Sequence, residues 1–201
     1  MKPNTIRSKS FGCRAILGLL FAVFISSLCV AQKLSADPSA LPQLTTRQGS
    51  IAIDTPKGWT RASGPGLAIF LPDGKDSDTA DAWIYISSVP IGPKEEYRDF
   101  NSYIQSDATA FRDKYKNSTV RNEQSILLPP ARTRARIYTF ESGEWSNAYE
   151  QIVYIEEAHR VLVLAMSAKN SNAFVQSMPA FREFVKSYRG RADIPADKKK
   201  P

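Results

Sequence analysis

ARTRARIYTFESGEWSNAYEQIVYIEEAHRVLVLAMSA, residues 131–168, is the stretch that decides the fold, and it predicts three consecutive antiparallel strands. Apolar and polar residues alternate through its first two thirds, and β-branched or aromatic residues dominate, as is typical of strands. The run 161–166 is continuously apolar, which predicts a central strand covered on both faces. This meander contains no catalytic motif, so it predicts architecture rather than activity.

The register of the first two strands depends on the turn between them. Ser142 and Gly143 fit a two-residue hairpin loop, which would place Arg136 opposite Tyr149. One strand face would then carry a candidate ligand-binding set, namely Arg132, Arg134, Arg136 and Tyr149. Guanidinium groups beside aromatic rings can bind a carboxylate, a phosphate or a sulfated glycan. The alternative is that these arginines pair with surface acids such as Glu123 or Glu150, or simply solvate an outer sheet face.

Residues 1–31 are interpreted as a secretory signal peptide cleaved near Ala31, because four basic residues precede the apolar run 15–30. The protein is therefore expected to be exported, to a periplasmic or extracellular location. A lipoprotein modified at Cys29 and an uncleaved anchor remain alternatives. Cys13 and Cys29 are the two cysteines of the chain, so the mature protein would have no disulfide, thiolate metal site or cysteine nucleophile.

The charge of the chain is concentrated at its ends. The net charge is +7, but residues 1–31 hold four of the 27 basic residues and none of the 20 acidic ones, leaving +3. That remainder lies in residues 189–201. Residues 190–201 are predicted to be a disordered basic tail with at most peripheral membrane contact. Because residues 32–188 are balanced, nucleic acid is not expected as a partner.

The rest of the chain is interpreted as a flexible linker, 32–47, and a single domain, 48–189. Strands are predicted at 50–54, 67–71, 82–89 and 119–128, and an amphipathic helix at 94–116, whose apolar stripe includes Phe100 and Phe111. Glu95 and Glu96 favour a helix N-terminus at its start. A second helical region, 174–188, would be broken at Pro179, with Ser177 capping its last part. The order predicts an α+β fold with an antiparallel sheet of about six to seven strands and helices packed on it.

The sequence also resembles a known family. IAIDTPKGW, residues 51–59, runs a short strand into P-x-G-W, and FREFVKSY, residues 181–188, forms a closing F-x-x-F-V-x-S-Y helix. Between them lie the long helix and a four-strand meander, which consists of strand 119–128 and the three strands of residues 131–168. Together these features resemble the PsbP-like family. The resemblance implies an α/β/α sandwich and a non-enzymatic accessory or binding role. It implies no site residues.

Few residues suggest catalysis or metal binding. His159 is the one histidine of the chain and is predicted to lie exposed in a turn. The acidic loop 73–81 lacks the ligand spacing of an EF-hand. We therefore expect no catalytic residue, metal or cofactor, and an exported, non-enzymatic, monomeric protein whose partner is an unknown envelope protein or an anionic ligand. The alternative is a small envelope hydrolase or ligand carrier, whose pocket would gather His159 or several of Asp54, Glu123, Glu150 and Tyr149.

Overall fold

A seven-stranded antiparallel sheet forms the middle of the fold. The computed structural model describes residues 43–46, 49–64, 67–129, 132–142 and 149–190. The predicted signal peptide, and the predicted tail beyond Gly190, lie outside these ranges. The strands of the sheet, in chain order, are β3 (Trp59–Gly64), β4 (Leu67–Pro72), β5 (Ala82–Pro90), β6 (Ser118–Leu128), β7 (Thr133–Ser142), β8 (Tyr149–Glu157) and β9 (Arg160–Ala168).

The order of the strands across the sheet is β3-β4-β5-β9-β8-β7-β6. The chain builds β3 to β5 as one meander, crosses to the far edge, and returns through β6 to β9 until β9 pairs with β5. Every residue of β9 is buried. The prediction of a central strand covered on both faces is therefore confirmed.

One helix covers each face of the sheet, and each face has its own apolar core. Helix α1 (Phe100–Lys114) packs with Tyr85, Phe140, Ile152, Tyr154 and Val163. Helix α2 (Ser171–Lys186) packs with Phe70, Ile84, Val153, Leu162 and Leu164 on the other face. Successive strand residues alternate between the two cores. The result is the α+β fold that the order of elements predicted, in the α/β/α arrangement that the resemblance implied.

The predicted start of the first helix was wrong by several residues. Helix α1 begins at Phe100 because Asp99 caps it: the Asp99 carboxylate accepts from the Ser102 backbone N–H at 2.8 Å, and the Ser102 hydroxyl accepts from the Asp99 N–H. The preceding residues form turns, in which Gly92 donates to the Tyr97 carbonyl at 2.9 Å. The acidic residues that suggested a helix N-terminus thus lie in that turn region.

The predicted break at Pro179 was also wrong. Helix α2 is continuous from Asn170, whose side chain accepts from the Ala173 N–H, to Lys186, with Pro179 inside it. Proline has no N–H to donate to the carbonyl four residues earlier, which weakens a helix. Here Met178 and Phe181, on either side of the proline, are both buried against the sheet. Their burial offsets the missing hydrogen bond.

Two short strands precede the sheet and form a separate hairpin, β1 (Gln43–Thr46) with β2 (Gly49–Ala52). β1 falls within the segment predicted as a linker, and β3 was not predicted as a strand. Residues 189 and 190, at the end of the described chain, pair with β2: the Arg189 N–H donates to the Ala52 carbonyl at 2.9 Å, and the Ala52 N–H donates to the Gly190 carbonyl at 3.0 Å. In the described part of the chain, neither helix is long and apolar enough to cross a membrane.

Candidate ligand-binding surface

The register of β7 against β8 differs from the predicted one. Arg136 lies opposite Tyr154, and Tyr149 lies opposite Glu141. β7 ends at Ser142 and β8 begins at Tyr149, so the connection is longer than the predicted two-residue loop, whose Gly143 lies outside the described residues. The partner of Arg136 is thus five residues further along the chain than predicted. A shift by an odd number of residues exchanges the two faces of a strand.

Tyr149 is therefore separated from the arginines. Its ring packs beside Phe174 of α2, with ring centroids 6.0 Å apart, on the α2 face of the sheet. Arg134 and Arg136 lie on the α1 face, together with Tyr138 and Phe140. The predicted four-residue set is corrected in this respect: the structure does not bring Tyr149 to the arginine side.

Arg132 is not part of the strand face either. It precedes β7 in a turn, is exposed, and has a φ of 53°, which is in the left-handed region. A non-glycine residue in that region occurs mainly where the chain turns sharply. The alternation that placed Arg132 in line with Arg134 and Arg136 therefore ends at Thr133, where β7 begins.

Arg134 and Arg136 share one aromatic ring, and we call these two residues the arginine pair. Their guanidinium carbons lie 5.5 and 5.4 Å from the ring centroid of Phe100, the first residue of α1. Phe100 is buried, so the ring is held in place by the core beneath it. Cation–π contacts of this kind hold each guanidinium in a restricted position.

The two arginines differ in their acidic partners. Arg134 forms an ion pair with Glu156 of β8, and its side chain is 50% exposed. Arg136 has no carboxylate within 4 Å among the described residues. The arginine pair and Glu156 together thus carry one net positive charge, which is centred on the half-buried Arg136.

Glu123 and Glu150, which the sequence suggested as partners of the arginines, have other contacts. Glu123 pairs with Arg121, which also binds Glu141 at 2.7 Å. Glu150 accepts a hydrogen bond from the Ser167 hydroxyl at 2.9 Å. The prediction that an arginine of this strand pairs with a surface acid therefore holds for Arg134, but with Glu156.

The residues proposed for an enzyme or carrier pocket do not converge. Asp54 follows β2 and is held by Arg189, whose hydrogen bonds keep the pKa of that carboxyl below its usual value. Glu150 lies at the start of β8, whereas His159 is exposed in the turn that follows the other end of the same strand. Glu123 lies on the edge strand β6. These positions belong to different edges and ends of the sheet.

The acidic loop before β5 is organised by its own hydrogen bonds. The Asp76 carboxylate accepts from the backbone N–H groups of Asp78 and Thr79 and from the Thr79 hydroxyl, at 2.8 to 3.1 Å. The Thr79 hydroxyl is the main reason that the pKa of Asp76 lies below its usual value. Within the described ranges, three or more His, Cys, Asp or Glu side chains nowhere gather as a metal site would require.

Sequence reasoning missed two residues of the surface, Phe100 and Glu156. Phe100 was recognised as part of the apolar stripe of α1, but its place beneath the arginines depends on how the helix crosses the sheet. Glu156 is followed by three polar or small residues before β9, so the local sequence favours a turn there. The period-two pattern of β8 would have supplied a signal, since Tyr154 and Glu156 share a face.

Comparison with solved structures bears on the fold. A Pseudomonas aeruginosa protein of unknown function, described as a candidate regulator, matches with a TM-score of 0.50 and 14% identity over 75% of this chain and 97% of that one. Cyanobacterial PsbP from Synechocystis matches with a TM-score of 0.49 and 9% identity over 80% and 98% of the two chains. The Ran-binding protein Mog1p of Saccharomyces cerevisiae matches with a TM-score of 0.45 and 8% identity over 74% and 94%.

The sequence comparisons add no further relative, because no protein-family model and no curated protein matches the chain. At identities this low the structural likeness concerns the fold alone. The predicted α+β architecture is confirmed, since the seven-stranded sheet carries a helix on each face. A cyanobacterial PsbP, from the family that the sequence resembles, is among the structures of similar fold.

Proposed function

We propose that this chain is an exported, non-enzymatic binding protein that holds an acidic group of an envelope partner at the arginine pair. The proposal rests on the contacts of the Arg136 side chain. Its guanidinium is fixed over the Phe100 ring at 5.4 Å, and no carboxylate of the described residues lies within 4 Å of it. Export is supported by the basic and apolar pattern of residues 1–31.

The chemistry of the arginine pair suits an oxyanion. A guanidinium presents its N–H donors in a planar fork that matches a carboxylate or sulfate, and it keeps its charge at any physiological pH. The shared ring already restricts both side chains, so less conformational entropy is lost when a ligand binds. Glu156 holds Arg134 in place and leaves Arg136 as the group that a ligand would meet.

The dispersal of the titratable residues supports a binding role over a hydrolytic one. A hydrolase needs a base within hydrogen-bond reach of the proton that it removes. His159 lies exposed in a turn, and Asp54, Glu123 and Glu150 each have a separate partner elsewhere in the fold. A bound carboxylate at the arginine pair needs no such assembly.

The experiment is a cross-linked pull-down of the mature protein from its own envelope fraction, with wild type and Arg134→Gln/Arg136→Gln compared. The matched control is Arg61→Gln/Arg182→Gln, because both of these arginines are exposed and have no ion pair with another described residue. We expect a partner that wild type and the control capture, that the double variant loses, and that higher salt releases. Equal capture by all three proteins would contradict the proposal.

A further inference from the structure

An exposed leucine lies beside the arginine pair. Leu127 of β6 is directly opposite Arg134 of β7, and residues that face each other across two antiparallel strands project on the same side of the sheet. Its side chain is 54% exposed, and the other large apolar residue exposed to this degree in the described part of the chain is Val175 on α2. The α1 face therefore presents an apolar group next to the two guanidinium groups.

The separation of these groups fits one peptide geometry. Arg136 lies two residues along β7 from Arg134, so Leu127 and Arg136 are diagonal neighbours, about 7 Å apart between their Cα atoms. In an extended peptide, side chains two residues apart lie on the same side and are also separated by about 7 Å. A peptide with an apolar residue and an acidic residue in that spacing can reach both groups at once.

We infer that this surface recognises an extended, acidic segment of a partner protein in which a glutamate or aspartate lies two residues from an apolar side chain. The inference rests on the proposed function and adds the class of partner. The carboxylate binds Arg136, and the apolar side chain covers Leu127. Arg136 offers N–H donors that no carboxylate of the described residues binds, and Leu127 offers apolar surface that the core leaves exposed.

The charge count favours such a segment over a polyanion. Arg134 is compensated by Glu156, so the surface offers one uncompensated guanidinium and not a cluster of several. A sulfated glycan or a free phosphate would bind that guanidinium but would gain nothing from Leu127. Dependence on Leu127 therefore distinguishes an apolar and acidic peptide from the other anions.

The test measures binding by NMR titration of the isotope-labelled protein with short blocked peptides. One peptide contains leucine, serine and glutamate in that order between flexible glycines, and a second has glutamine in place of glutamate. A sulfated tetrasaccharide is the third probe. The protein variants are Leu127→Ser, Arg136→Gln and, as the matched control for an exposed apolar residue, Val175→Ser, with circular dichroism to verify that each variant is folded.

We expect the glutamate peptide to bind wild type and to shift the signals of β6 and β7. Leu127→Ser should weaken this peptide about fivefold, as expected for the loss of a half-exposed leucine contact, and should leave the tetrasaccharide unchanged. Arg136→Gln should weaken the glutamate peptide by about tenfold or more and bring it to the level of the glutamine peptide. Val175→Ser should bind as wild type does.

Three results would overturn the inference. It fails, while the proposed anion site stands, if Arg136→Gln weakens the glutamate peptide but Leu127→Ser does not. It fails in the same way if the tetrasaccharide binds wild type more tightly than the peptide does. If the glutamate peptide and the tetrasaccharide bind wild type and Arg136→Gln alike, or do not bind at millimolar concentration, both the inference and the proposed function are wrong.

Discussion

Asp107 is a carboxylate on the buried side of α1, where the sequence pattern predicts only apolar residues. It is 7% exposed, and it accepts a hydrogen bond of 2.5 Å from the hydroxyl of Tyr154, which is fully buried in β8. The ring of Tyr154 lies among those of Tyr103 and Tyr138. This polar contact in an aromatic core ties the helix to the sheet close to the arginine pair.

We expect Tyr154→Phe to lower the free energy of unfolding by about 1–3 kcal/mol, because Asp107 loses a buried hydrogen-bond donor. Urea unfolding measures the change. Tyr115→Phe, at a half-buried ring near the end of α1, is the control and should have a smaller effect. Combining Tyr154→Phe with Asp107→Leu should recover part of the loss, since both polar groups are then removed. A double variant less stable than Tyr154→Phe alone would contradict this account.

Tyr188 should make the protein less stable as the pH rises into the alkaline range. Its side chain is 1% exposed, and its hydroxyl donates to Glu157 at 2.8 Å. Burial, and then the negative charge of Glu157, raise the pKa of Tyr188 above its ordinary value of 10.0. Because the folded state resists ionisation, the contribution of Tyr188 to stability is complete below about pH 10 and is lost as the pH rises further.

We expect Tyr188→Phe to make stability fall less steeply between about pH 10 and 11, because phenylalanine cannot ionise in the unfolded chain. At neutral pH the same variant should be less stable by about 1 kcal/mol, since Glu157 loses a donor. Urea unfolding at a series of pH values gives both quantities. Parallel curves for wild type and the variant above pH 10 would show that Tyr188 does not cause the alkaline loss.

At the scale of elements, regular patterns were predicted well and local exceptions were not. The continuous apolar run predicted β9, and the apolar stripe that includes Phe100 and Phe111 predicted α1, because these patterns follow directly from burial. The helix start at Asp99 and the passage of α2 through Pro179 were missed. Both depend on contacts made after folding, a reciprocal cap with Ser102 and the packing of α2 on the sheet, which a local pattern does not contain.

Pro179 offers a prediction at this scale. Since α2 continues through position 179 and the side chain there is exposed, Pro179→Ala should restore a helical hydrogen bond without leaving a cavity. The gain in helix propensity is about 3 kcal/mol, and the loss of proline's restriction of the unfolded chain offsets about 1 kcal/mol, so we expect a net stabilisation of about 2 kcal/mol. Thermal unfolding measures it. A lower midpoint would mean that the backbone around the proline is adapted to its ring.

At the scale of the whole molecule, the candidate surface was only half predictable. Arg134 and Arg136 were placed on one face by the period of two, which holds for any strand. Tyr149 was misplaced because apolar residues occupy both faces of β8, so the pattern did not determine its register against β7. Phe100 and Glu156 come from a helix and a strand that only the assembled fold brings to the arginines.

Residues 187–190, which follow α2, connect the β1–β2 hairpin to the α2 side of the sheet. Tyr188 is buried in the α2-side core, Ser187 accepts a hydrogen bond from the Asp54 N–H at 2.9 Å, and Arg189 binds the Asp54 carboxylate. With the backbone pairing of Ala52 to Arg189 and Gly190, these contacts hold β2 against the end of the helix. The stability of the domain should therefore depend on residues 187–190.

Truncation of the predicted mature chain tests this dependence. A chain that ends at Gly190 should keep its free energy of unfolding within about 0.5 kcal/mol, because the sequence after it is polar and predicts a disordered tail. A chain that ends at Lys186 should lose about 4 kcal/mol or more, since the buried ring of Tyr188 is removed together with the hydrogen bonds to β2. Tyr188→Ala in the longer chain separates the two causes: if it matches the shorter chain, the ring accounts for the loss. Equal stability of the two truncated chains would place the end of the domain before residue 187 and contradict the predicted boundary at 189.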